Sequence, residues 1–76
     1  MKELVEFIVK NLVSDPDSVE IREESREKET VYIVHIAEED FGKIIGRSGK
    51  VATAIRTVVR TSAKKNNKHV FVKFEK

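Results

Sequence analysis

The chain contains no cysteine, no tryptophan, one proline and no long apolar run. Without thiols there is no disulfide framework, no thiolate zinc site and no cysteine nucleophile, which suits a reducing cytoplasm. No apolar stretch approaches the roughly 18 residues of a membrane span. Met1-Lys2-Glu3-Leu4-Val5-Glu6 carries acids where a secretory signal carries an apolar block. A cytoplasmic protein with no membrane attachment is therefore expected. Glycine is scarce too: it occurs only at Gly42, Gly46 and Gly49, so the residues freest to take φ > 0 are concentrated in one short stretch. Acids are absent from Phe41 through Phe74.

That last absence gives the charge its meaning. Met1 to Asp40 holds twelve acids and five bases, whereas Phe41 to Phe74 holds nine bases and no acid. The net charge of +2 conceals this division. One part of the surface is thereby suited to a polyanion. Charged residues make up 37% of the chain, well above the roughly 25% of average domains. The 76 residues are expected to form one domain, 1–76. A domain of this size buries only about 60% of its unfolded surface. It has room for one core and one function, not for a deep multi-residue active site.

Periodicity predicts a helix from Lys2 to about Val13, with Met1, Leu4, Val5, Ile8 and Leu12 on one stripe widened by Phe7, Val9 and Val13. Pro16 stops it and pushes Asp15 towards extended backbone. Ser18 to about Ser25 alternates as a half-buried strand, with Val19 and Ile21 against Glu20 and Arg22. A charged turn, Arg26 to Glu29, leads to a second strand over Thr30 to Ala37. Its Tyr32, Val34 and Ile36 are assigned to the core. Its other face, Val31, Ile33 and His35, is also largely apolar and is left for a groove or an outside partner. Asp40 is read as the N-cap of a short helix, Phe41 to Ile45, ended by Gly46 in the manner of a glycine C-cap. A long helix follows Gly49 to about Lys65. It directs Val51, Ala52, Ile55, Val58, Val59 and Ser62 inward, and Arg56, Arg60 and Lys64 to the opposite side. Asn66-Asn67 breaks it, and His69 to Phe74 alternates as a third strand that can run parallel to a neighbour. The order predicts a two-layer α+β sandwich of three strands with three helices on one face.

The chemistry concentrates at Gly42 to Lys50. Gly46 and Gly49 flank Arg47-Ser48 just before a helix N-terminus, where unpaired amides, the helix dipole and nearby cations suit a phosphate. A nucleotide-binding loop would need Gly-x-x-x-x-Gly-Lys-Ser/Thr, but Ile44 lies five residues before Gly49 and Val51 follows Lys50. Ser48 has no base suggested for it, and His35 and His69 lack a second ligand at metal spacing. No enzyme, metal or cofactor is expected. Phe41 and Tyr32 fall on core periodicity, so stacking of bases on aromatic rings is not expected.

Ile44-Ile45-Gly46-Arg47-Ser48-Gly49-Lys50, set between a short and a long helix, resembles the signature of KH domains, whose Gly-x-x-Gly loop clamps single-stranded nucleic acid. The order α-β-β-α-α-β resembles the type II KH fold, with a mixed sheet. The whole chain is similar to the bacterial single-KH-domain RNA-binding proteins of the KhpA family, through Pro16-Asp17 and the run from Asp40 to Gly49. The resemblance implies that Gly46, Arg47, Ser48 and Gly49 contact the sugar-phosphate backbone of single-stranded RNA. Free amides at Ser48, Gly49 and Lys50 would donate to it, and Lys43 and Lys50 would supply flanking charge. Ile44 and Ile45 would anchor the loop and floor a groove whose opposite wall is the second strand, with about four nucleotides held. It also implies avidity through a homodimer, or a heterodimer with a larger KH-domain protein of the Jag/KhpB type, in post-transcriptional regulation. Ala54, Val58 and Thr61 on the long helix are the expected contact. The competing expectation is a KH-like dimerisation module with little direct nucleic-acid binding. The Gly-Arg-Ser-Gly loop and the acid-free half weigh against that alternative.

Overall fold

The computed structural model describes residues 2–46, 49–63 and 69–76. Its elements are α1 (Lys2–Leu12), a 3₁₀ turn (Pro16–Ser18), β1 (Glu20–Ser25), β2 (Glu29–His35), α2 (Glu38–Ile45), α3 (Lys50–Ala63) and β3 (His69–Glu75). The sheet runs β1-β2-β3, with β1 antiparallel to β2 and β2 parallel to β3. A tight hairpin, closed by the Arg26 amide donating to the Glu29 carbonyl at 2.7 Å, makes the first pair antiparallel. The second pair is parallel because two helices return the chain to the end from which β2 started. The α+β architecture read from the sequence is the one observed.

Alternation decides the two faces of the sheet. Thr30, Tyr32 and Val34 of β2 are buried with their register partners Val70, Val72 and Phe74 of β3. Val5, Val9, Ile44, Ala52, Ile55, Val59 and Ala63 cover this face from the helices, and Ile36 joins the same core. Burial and the Glu23 carboxylate beside it push the Tyr32 phenol up to about 12. The far face carries Val31, Ile33, His35, Phe71 and Lys73, crossed by an Arg22–Glu75 ion pair at 3.1 Å.

Several local expectations are corrected. Leu12 and Phe7 of α1 are 53% and 69% exposed, because the helix turns Val5 and Val9 fully into the core, with Ile8 and Val13 packed beside them. Val51 and Val58 of α3 are exposed too, while Ala63 is buried. Arg56 does not point away: it lies half-buried against β3, its Nε donating to the Val72 carbonyl at 3.0 Å. Pro16 opens a 3₁₀ turn instead of leading straight into β1, a position its fixed φ favours. Met1, Lys64, Lys65 and the Asn66-Asn67 break lie outside the described residues.

Candidate nucleic-acid interface

The helix that carries the loop begins earlier than its sequence suggests. Its N-cap is Ala37, which places Glu38, Glu39 and Asp40 in the first turn, where three acids complement the helix dipole. Asp40 is consequently not a cap of its own helix. It is 1% exposed, and its carboxylate accepts the amides of Ser14 at 2.8 Å and Asp15 at 3.1 Å. The Ser14 amide above all, helped by Asp15, the Ser14 hydroxyl and Lys43, holds the carboxyl below its ordinary 3.8 against the opposing effect of burial. This clasp fastens the segment after α1 to α2. Lys43 completes it by donating to the Ser14 hydroxyl at 2.8 Å. Nothing in the periodicity signals these roles for Asp40 and Ser14, because the partners are 26 residues apart in the chain.

Glu39, Gly42, Lys43 and Gly46 recur along one side of α2. Together with Lys50 and Val51 they line an open depression of about 680 Å³. The two glycines keep its wall low, and the two lysines flank it. Gly46 caps α2 with extended backbone, φ −65° and ψ 174°, and donates to the Gly42 carbonyl at 2.9 Å. It is therefore not a left-handed cap. Its lack of a side chain is required because a Cβ there would collide with the Gly42 carbonyl oxygen. The left-handed residue is Gly49, at φ 65°. Its amide donates to the Gly46 carbonyl at 3.2 Å, so it is not one of the free donors expected of the loop. The first turn of α3 carries the amides that a helix N-terminus leaves without a carbonyl of its own helix.

Of the eight residues proposed from sequence, the depression brings together Lys43, Gly46 and Lys50, and adds Glu39, Gly42 and Val51. Ile44 is 2% exposed, so it supports the loop from beneath and cannot floor an open groove. Ile45 is half-buried and packs on the core. Nor does any residue of β2, the expected opposite wall, line the depression. Gly49 adjoins Lys50 at the start of α3, and Arg47 and Ser48 lie outside the described residues.

A second, apolar groove of about 340 Å³ runs between α1 and α3, lined by Ile8, Leu12, Val51, Ala54, Ile55 and Val58 with Lys50 at its end. Lys50 and Val51 border both concavities, so the basic depression and the apolar groove meet at the N-terminus of α3. No cluster of His, Asp or Glu able to hold a metal ion occurs among the described residues, and no described helix is long and apolar enough to cross a membrane.

Comparison with known proteins covers nearly the whole chain. Residues 2–74 match the family described as "KhpA/KhpB, KH domain". A protein of Clostridium perfringens named "RNA-binding protein KhpA" is 47% identical over 72 residues, covering 95% of this chain and 96% of its own length. Its namesake in Clostridium acetobutylicum is 46% identical over the same extent. In Borreliella burgdorferi a protein of that name is 46% identical over 68 residues, covering 90% of this chain and 83% of its own. No solved structure matches.

Proposed function

The chain belongs to the KhpA/KhpB family of KH domains, and on that premise we propose that it binds single-stranded RNA by its sugar-phosphate backbone. The observation that carries this reading is the depression in which Gly42 and Gly46 lower the wall between Lys43 and Lys50. A phosphate seated there meets two ammonium groups and the N-terminal amides of α3, and the glycines let the strand come close. Arg47 and Ser48 extend the grip from the loop that joins α2 to α3. The relatives' shared name, RNA-binding protein KhpA, supports RNA as the polyanion. A contact made mainly to the backbone gives modest affinity and little sequence preference.

Avidity then comes from association through the apolar groove between α1 and α3. Val58, 48% exposed, and Ala54 line it, which supports their part in the contact, whereas Thr61 is not among the lining residues. The occupant is a second copy or a larger KH-domain protein, and the family description, which names KhpB beside KhpA, is consistent with the second. Titration of a short single-stranded RNA at several salt concentrations tests the backbone grip. The logarithm of affinity is expected to fall linearly with the logarithm of salt, by roughly 0.7 for each phosphate neutralised. Affinity indifferent to salt would rule out a phosphate-centred mode.

A further inference from the structure

We propose that the outer edge of β3 is a latent strand-pairing surface for a second copy of this chain, and that Arg56 holds it shut. Along a strand in a parallel pair, alternate residues turn their backbone N–H and C=O to opposite sides. The Glu75 carbonyl accepts the Ile36 amide at 3.0 Å, and the His69 amide donates to the Lys28 carbonyl at 3.2 Å. The odd-numbered residues of β3 therefore face β2, and Val70, Val72 and Phe74 turn their backbone groups outward. The sheet's other edge protects itself: Glu20, Arg22, Glu23 and Glu24 of β1 are all exposed, and charges of this kind discourage pairing. β3 is less charged: of its seven residues only Lys73 and Glu75 carry a formal charge, both on the far face of the sheet, and Phe71 beside them is 49% exposed. Such an edge needs a guard from elsewhere in the fold.

Arg56 is placed to be that guard. Its Nε donates to the Val72 carbonyl at 3.0 Å, and its guanidinium carbon lies 5.7 Å from the centre of the Phe74 ring. Antiparallel pairing of β3 with a two-fold copy centred on Val72 sets Val72 against Val72 and Val70 against Phe74. Every outward-turned residue then meets another in a hydrogen-bonded pair. In the same register Lys73 faces Phe71 and Glu75 faces His69, so no like charges oppose each other. Arg56 occupies the carbonyl at the centre of this register. A second copy must displace a charged hydrogen bond before it can add its strand.

The test uses R56A and R56M, the latter keeping an apolar stem beside β3 while losing the donor and the charge. Sedimentation over a concentration series is expected to show association beyond the wild-type state, at concentrations lower by about tenfold or more, the scale of one charged hydrogen bond. Hydrogen exchange is expected to show the amides of Val70, Val72 and Phe74 protected in the associated species and fast in the wild type. R56K, which restores a donor, is expected to return to the wild-type state. Variants as dispersed as the wild type, or association that leaves those amides fast, would overturn the proposal. So would a loss of RNA affinity with association unchanged, which would move Arg56 to the polyanion surface.

Discussion

Gly42 and Gly46 lie one turn apart on the same side of α2, and a methyl group has opposite consequences at the two. At Gly42 an added Cβ meets nothing within 4 Å. Gly42→Ala is therefore predicted to stabilise the fold by about 0.5–1 kcal/mol through helix propensity. At Gly46 the Cβ runs into the Gly42 carbonyl oxygen, so Gly46→Ala is predicted to cost about 1–3 kcal/mol, the usual scale of overpacking. Denaturant unfolding of the two variants checks both signs, and Gly42→Ala is expected to weaken RNA binding despite its added stability. Asp40 makes a prediction of a different kind. Its folded carboxyl lies below the ordinary 3.8, chiefly through the Ser14 amide. Its contribution is thus complete above that ordinary value and is lost as pH falls through the lower folded one. Asp40→Asn is expected to lower the unfolding midpoint at neutral pH, and the gap from wild type is expected to close in acid. A gap independent of pH would show that the carboxylate's charge is not what the clasp uses. The three glycines and the lysines beside them were legible in the sequence. The clasp was not, because Asp40 before Phe41 has the local signature of a cap while its partners belong to another segment.

At the scale of elements, strands were read more faithfully than helix faces. A strand has only two sides, so alternation assigned Tyr32, Val34 and Ile36 to the core, where they are found. Apolar residues surround much of α1, and periodicity alone does not say how wide a stripe the sheet covers. Val5 and Val9 are fully buried, but Leu12, on the same predicted face, is half in solvent. In α3 the same ambiguity put Val51 and Val58 inward, whereas they line the open groove against α1. These misplaced residues line the apolar groove between α1 and α3, the surface proposed for association. Val58→Glu, at a site 48% exposed, is predicted to leave the fold intact and to make the protein monomeric by size-exclusion chromatography. Unchanged association would remove α3 from the interface.

The whole molecule separates its charges along the chain, with twelve acids before Phe41 and none from there to Phe74. The fold brings two of the bases of the second half, Lys43 and Lys50, to one glycine-walled depression where the chain passes from α2 to α3. It sets another, Arg56, against the sheet edge, so a basic segment in sequence is not a single basic surface in space. The central claim is that the loop between Gly46 and Gly49 grips RNA. It is tested most directly by replacing Arg47 and Ser48 together with aspartate and measuring affinity for short single-stranded RNA alongside circular dichroism and oligomeric state. The double variant is predicted to lose RNA binding while its fold and assembly remain those of the wild type. RNA binding that persists in a folded double variant would contradict the account.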